Sequence, residues 1–78
     1  MARPRVIVLG GSGTLGRVVS RALTAAGARV GLTYHTGQTI ADELVRQLDG
    51  ATARRLDLSL TAEIPGVLAE LREALGGL

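Results

Sequence analysis

Gly10-Gly11-Ser12-Gly13-Thr14-Leu15-Gly16 is the stretch of sequence that decides the fold. The apolar run Val6-Ile7-Val8-Leu9 precedes it and predicts a buried strand over residues 5–9. The residues after it predict a helix over 15–26 with one apolar stripe, formed by Leu15, Val18, Val19, Ala22, Leu23 and Ala26. Glycines at such a turn let a pyrophosphate approach the main chain, where the free N–H groups of a helix N-terminus attract an anion. The stretch therefore predicts a nucleotide-binding turn.

The alternation of strand and helix continues to the end of the chain. Gly27 is predicted to end the first helix, and a second strand follows over 28–34, in which Gly31 is a weak point or a site of close approach. A Thr-capped helix over 39–49 and a strand over 51–58 come next. The last helix starts at 59–61, and Pro65 fits only within its first turn.

This order predicts an α/β fold, the three-stranded parallel half of a Rossmann-type doubly wound domain that occupies residues 1–78. In the strand order 3-2-1 that is usual for such folds, the apolar first strand becomes an unpaired edge. The end of the chain, Gly76-Gly77-Leu78, resembles a turn that leads into a further element. We therefore expect the chain to be a fragment of a longer domain.

Composition excludes several classes of function. All nine basic residues are arginines, and only Arg54 and Arg55 are adjacent, so the net charge of +2 does not indicate a nucleic-acid partner. The absence of cysteine excludes disulfides and suits a cytoplasmic protein. We expect no membrane span, because no apolar run approaches the roughly 20 residues that one requires. We expect no metal site, because the single histidine and the carboxylates lack ligand spacing.

Three segments resemble the short-chain dehydrogenase/reductase family: Arg5 to Arg17 its first strand and glycine turn, Arg29 to His35 its second strand, and Arg55 to Ser59 the end of its third strand. Residues 75–78 look like the approach to its fourth strand. The glycine spacing departs from the classical pattern, which places glycine at position 14, and instead fits the variant with Gly10, Gly13 and Gly16 of extended and atypical members. The end of the second strand is similar to 3-oxoacyl-acyl-carrier-protein-reductase-like members, so the subfamily stays open.

The resemblance implies that the glycine turn binds pyrophosphate, that the end of the second strand selects the ribose, and that the end of the third strand binds adenine. The implied cofactor-binding residues are Gly10, Ser12, Gly13, Thr14, Leu15, Gly16, Tyr34, His35, Thr36, Asp57 and Leu58. A site that prefers NAD carries Asp or Glu at the end of the second strand, and this chain has none there, so we predict NADP rather than NAD. Two alternatives stay open: His35 as a solvated loop residue, and Asp57 as a cap for the amides of Ser59 and Thr61.

The family's catalytic Ser, Tyr and Lys are expected beyond residue 78, and the chain contains no lysine. We therefore expect an NADP(H)-binding N-terminal segment of a reductase that is inactive alone. The alternatives are a non-catalytic dinucleotide-binding or regulatory module, and a piece that folds only with the rest of the domain or a partner chain at the first-strand edge. A phosphate-binding P-loop is disfavoured, because Arg17 and Val18 replace the Lys and the Ser or Thr that it needs. A tight turn without a ligand is the remaining interpretation.

Overall fold

The computed structural model describes residues 3–76. Its elements are β1 (Arg5–Val8), α1 (Thr14–Ala25), β2 (Arg29–Tyr34), α2 (Gln38–Gln47), β3 (Thr52–Arg55), a 3₁₀ turn (Thr61–Glu63) and α3 (Ile64–Ala74). The predicted third strand is shorter than expected and ends at Arg55, because the chain then turns at Asp57. Pro65 lies in the first turn of α3, as predicted. The predicted approach to a fourth strand lies partly outside the described residues.

The three strands form one parallel sheet in the order β1-β2-β3. Val6 pairs with Val30 and Leu32 pairs with Ala53, so β2 is the central strand. The predicted α/β fold, with strands and helices in alternation, is confirmed. Within residues 3–76, β1 pairs on one side only and is an edge of the sheet.

The two faces of the sheet are covered by different helices. On one face, the side chains of β2 pack against α2 and part of α1, and the buried cluster there consists of Val30, Leu32, Ala41, Leu44 and Leu48. On the other face, α3 crosses directly over Gly31. A Cβ atom at Gly31 would lie 3.1 Å from Leu75 Cδ1 and 3.3 Å from Leu71 Cδ2, and both leucines are fully buried. Gly31 is thus a site of close approach, one of the two roles the sequence predicted.

Most of the apolar stripe of α1 is exposed within residues 3–76, and Leu23 is the member that packs against the core. Leu15 is 76% exposed and Val18 is 62% exposed, while the helix buries Ser20 and half-buries Leu23. Gly11, which lies beside Ser20, has no room for a side chain, because a Cβ there would lie 2.5 Å from Leu32 Cβ. The stripe was inferred from the spacing of apolar residues alone. That spacing does not show which side of the helix packs against the rest of the described residues. We call the exposed residues the α1 stripe: Leu15, Val18, Val19, Ala22 and Ala26.

At the N-terminal ends of the strands, opposite the glycine turn, arginine side chains form hydrogen bonds to the segments that follow the helices. Arg3 donates from Nε to Gly27 O (2.9 Å) and from Nη1 to Asp49 Oδ2 (3.1 Å), which links the chain after α1 to the chain after α2. Arg29 donates from Nη1 to Leu75 O (3.1 Å) after α3. Cations at helix C-termini are favourable because the free carbonyl groups carry partial negative charge. These contacts join the N-terminal ends of the strands to the segments that follow the three helices.

None of the helices within residues 3–76 has the length and apolarity that crossing a bilayer requires.

Candidate functional site

The glycine turn between β1 and α1 is bound to the neighbouring strand β2. Gly11 N–H donates to Thr33 O and Gly10 N–H donates to Thr33 Oγ1, each at 2.9 Å. Thr33 is 1% exposed, so these bonds are shielded from water. A buried threonine in the central strand therefore sets where the turn begins.

Gly16 lies in the first turn of α1, directly against the backbone of the glycine turn. A Cβ atom at Gly16 would overlap Gly10 O and lie 2.7 Å from Gly11 Cα. Neither obstacle is a flexible side chain that could rotate away. Glycine at this position therefore lets the N-terminus of α1 approach the end of β1.

The N-terminus of α1 presents unpaired N–H groups. Gly13 is the N-cap residue, with no side-chain capping bond, and the first helical bond runs from Arg17 N–H to Gly13 O (2.8 Å). The N–H groups of residues 14–16 precede that bond and have no partner within the helix. Together with the positive end of the helix dipole, they form an arrangement that attracts an anion.

Beside the turn, the carboxyl ends of all three strands surround one cavity of about 240 Å³. Its lining consists of Gly10, Thr33, Tyr34, His35, Leu56, Asp57, Leu58 and Ser59. Ligand pockets typically measure about 300–1,000 Å³, so this cavity suits one part of a dinucleotide rather than the whole molecule. Its position next to the N-terminus of α1 matches the adenosine end of such a ligand.

The structure brings together some of the predicted site residues and leaves others beside the cavity. Five predicted residues line it: Gly10, Tyr34, His35, Asp57 and Leu58. The other six, Ser12, Gly13, Thr14, Leu15, Gly16 and Thr36, belong to the glycine turn, the start of α1 and the loop after β2. The turn and this loop are close in space, because a Cβ at Gly37 would lie 3.8 Å from Ser12 Oγ. Gly37 is also the N-cap of α2, so the predicted Thr cap of that helix is absent.

Asp57 uses its two carboxylate oxygens differently. Oδ1 accepts hydrogen bonds from Ser59 N–H (2.9 Å) and from Ser59 Oγ–H (2.7 Å), whereas Oδ2 lies 3.5 Å from His35 Nε2. The bonds from the Ser59 side chain and backbone hold the pKa of Asp57 below its ordinary value, and the nearby charges of His35 and Arg55 lower it further. The carboxylate is therefore charged at neutral pH. It caps the turn with one oxygen and offers the other to the cavity.

Sequence reasoning missed Thr33 and Leu56 as lining residues and considered Ser59 only as a capping partner of Asp57. Thr33 carried a signal, since a threonine in an otherwise apolar central strand needs a hydrogen-bond partner when it is buried. Ser59 carried another, because it stands two residues after Asp57, the spacing of an Asx turn. Leu56 carried none, since an apolar residue at the end of a strand is ordinary core.

No family model and no curated protein matches the sequence. Solved structures are similar to it. One is a protein of Sinorhizobium meliloti 1021 described as a short-chain dehydrogenase/reductase, with 25% identity and a TM-score of 0.87 over 97% of this chain and 36% of that chain. Acetoin dehydrogenases of Salmonella typhimurium and Enterobacter cloacae each show 24% identity and a TM-score of 0.85, over 96% and 97% of this chain and 32% of theirs.

The chain thus spans about a third of the length of these structures. The resemblance to short-chain dehydrogenase/reductases is confirmed, and the chain fits the N-terminal half of their Rossmann-type fold.

Proposed function

We propose that this chain is the NADP(H)-binding N-terminal segment of a short-chain dehydrogenase/reductase, an oxidoreductase that interconverts carbonyl and alcohol groups by hydride transfer. The observation that carries the proposal is the junction of an uncapped helix N-terminus with a cavity at the carboxyl ends of three parallel strands. Open α/β sheets bind nucleotides at this edge. The solved structures with this fold include a short-chain dehydrogenase/reductase and two acetoin dehydrogenases, which supports nicotinamide chemistry.

The proposal gives each part of the site one task. Residues 12–16 bind the pyrophosphate with backbone N–H groups. Gly10 has no side chain, so the ligand can approach the main chain there. Residues 34–36 contact the ribose next to adenine, while Leu58 packs on the adenine ring and Asp57 Oδ2 accepts from its amino group. When bound, the nicotinamide supplies or accepts the hydride. This segment binds and orients the cofactor, and the catalytic Ser, Tyr and Lys are proposed to lie outside it.

NADP is the proposed cofactor in preference to NAD, because the end of β2 carries no carboxylate to bind the ribose 2′-OH or to repel a 2′-phosphate. The carboxylate that does reach the cavity, Asp57, comes from beyond β3 and is held by Ser59. Arg55 lies beside it and supplies positive charge. A cytoplasmic location stays a prediction from the cysteine-free composition.

A charge placed at the N-cap of α1 tests the proposal. Gly13 has a φ of −71° and ψ of 170°, which any residue adopts, and a Cβ there would approach Gly10 O no closer than 3.4 Å. Gly13→Asp and Gly13→Asn both supply a capping oxygen, so we expect both variants to fold. Only the aspartate places a negative charge where the pyrophosphate would bind.

We expect Gly13→Asp to weaken NADP binding at least tenfold relative to Gly13→Asn, measured by calorimetry on the 78-residue chain. Equal affinities for the two variants would show that no pyrophosphate binds at this turn. Failure of the unaltered chain to bind any dinucleotide would remove the proposal as a whole.

A second candidate is favoured by the exposed α1 stripe. Leu15 and Val18 are largely exposed, and within residues 3–76 the edge of β1 beside them is unpaired. Apolar surface of this kind marks a protein interface. We propose that the rest of a dehydrogenase domain, or a separate partner chain, covers β1 and the stripe. Tight nucleotide binding by the bare chain would instead favour the other alternative, a non-catalytic dinucleotide-binding or regulatory module.

This candidate is tested by the association state of the bare chain. We expect concentration-dependent association in sedimentation experiments, reduced by Val18→Gln. An unaltered chain that stays monomeric at high concentration would contradict it.

A further inference from the structure

His35 and Asp57 contact each other, although the proposed cofactor site gives them different tasks: His35 contacts the ribose and Asp57 binds adenine. His35 Nε2 lies 3.5 Å from Asp57 Oδ2, the oxygen that Ser59 leaves free. His35 belongs to the ribose side of the cavity and Asp57 to the adenine side. The histidine thus sits on the acceptor that an adenine amino group would use.

Among residues 3–76, the charged side chains in contact with His35 come from Asp57 and Arg55. Asp57 faces its ring from the segment after β3, and Arg55 of β3 donates from Nε to the His35 carbonyl at 3.3 Å. Its titratable neighbour on β2, Tyr34, packs against the buried cluster on the α1 and α2 face. The His35 side chain is 54% exposed, so it can reorient without disturbing the core.

We infer that His35 selects between the two dinucleotides according to pH, by exchanging Asp57 for the 2′-phosphate of NADP. The inference rests on the proposed function. A protonated imidazole binds the Asp57 carboxylate, and adenine must displace it to reach Oδ2. NADP offers the displaced cation a new partner in its 2′-phosphate, whereas NAD offers only a hydroxyl group.

The direction of the pH dependence follows from the charge of the imidazole. Histidine side chains ordinarily change charge between pH 5 and 8. Below this range NAD binding has to break an ion pair without replacement, while NADP binding exchanges one ion pair for another. Above it the imidazole is neutral, Oδ2 is open to both ligands, and the preference for NADP declines.

The test compares ADP-ribose with 2′-phospho-ADP-ribose, which differ only in the phosphate that His35 would bind. For the 78-residue chain we expect the affinity ratio in favour of the phosphorylated probe to rise about three- to tenfold from pH 8.5 to 6.5, the range of a partly exposed ion pair. His35→Gln should abolish this rise. Asp42→Asn, which removes an exposed carboxylate of α2 outside the cavity, should retain it.

His35 is the one histidine of the chain, so its ring resonances report on it without assignment. In NMR titrations we expect the midpoint of His35 ionisation to lie higher with 2′-phospho-ADP-ribose bound than with ADP-ribose bound. The 2′-phosphate itself gains a proton below about pH 6. Its lower charge then weakens its attraction for a protonated His35, which opposes the rise in the affinity ratio at the acid end of the range.

An affinity ratio that is the same at both pH values, or a rise that persists in His35→Gln, would overturn the inference while leaving the cofactor site intact. Equal ionisation midpoints with the two probes would do the same. Absence of binding by both probes would overturn the inference and the proposed function together.

Discussion

Alanine at Gly16 should destabilise the chain, although helix propensity alone gives the opposite sign. Replacing glycine by alanine inside a helix ordinarily gains about 1 kcal/mol. Here the new Cβ would overlap Gly10 O and lie 2.7 Å from Gly11 Cα. Overpacking costs about 1–3 kcal/mol, and the upper part of that range applies because the obstructing atoms are backbone. We therefore expect a net loss of about 1–2 kcal/mol, or about 4–16 °C in the unfolding midpoint of a domain this small.

Gly66→Ala is the matched control, since Gly66 also lies in the first part of a helix and a Cβ there would meet nothing within 4 Å. That variant should unfold at the same temperature as the unaltered chain or slightly above it. Thermal unfolding followed by circular dichroism gives both values. If Gly16→Ala unfolds at or above the temperature of Gly66→Ala, α1 does not approach the backbone of the glycine turn as closely as the structure shows.

Three further expectations concern the turn after β3, the orientation of α1 and the arginine contacts. Asp57 has a lowered pKa, so it stabilises the fold above its unfolded value near 3.9, and this contribution is lost as the pH falls through the lower folded value. Ser59→Ala should therefore lose stability at pH 7, and in urea titrations this loss should shrink as the pH falls below about 3.9; a loss that does not change with pH would contradict the Ser59 contacts. Val18→Gln should change the free energy of unfolding by less than about 0.5 kcal/mol, whereas Leu44→Ala should cost about 2–5 kcal/mol; similar losses would place Val18 in the core. Arg29→Met should cost about 1–2 kcal/mol through its bonds to carbonyl groups after α2 and α3, and unchanged urea unfolding would show that these bonds contribute nothing.

The order of elements was predictable because each has a strong local signal. Short apolar runs mark β1 and β2, and the glycine turn and Gly27 bracket the first helix. Boundaries shifted by a few residues, most at β3, where the predicted strand ran past Arg55 into the Asx turn of Asp57. A local pattern of alternating residues does not show where a carboxylate stops a strand by bonding to the backbone ahead of it.

The orientation of α1 and the internal geometry of the cavity were beyond the sequence. The apolar period of α1 is real, but the described residues cover the other side of the helix, where Ser20 is buried. The family resemblance implied that His35 and Asp57 belong to one cofactor site. Their 3.5 Å separation depends on the register that pairs Tyr34 with Arg55, which no local pattern reveals.

The proposed dinucleotide site at the glycine turn is tested most directly by an NMR titration of the 78-residue chain with NADP, in which every backbone amide is followed. We expect the largest shifts at the N–H groups of residues 12–16, with smaller ones at 34–36 and 57–58. These three segments surround the uncapped end of α1 and the cavity beside it. Absence of shifts at millimolar NADP, or shifts confined to the separate groove that β3 and α3 line with Arg54, Ala69, Glu70, Glu73 and Ala74, would contradict a pyrophosphate site at the glycine turn.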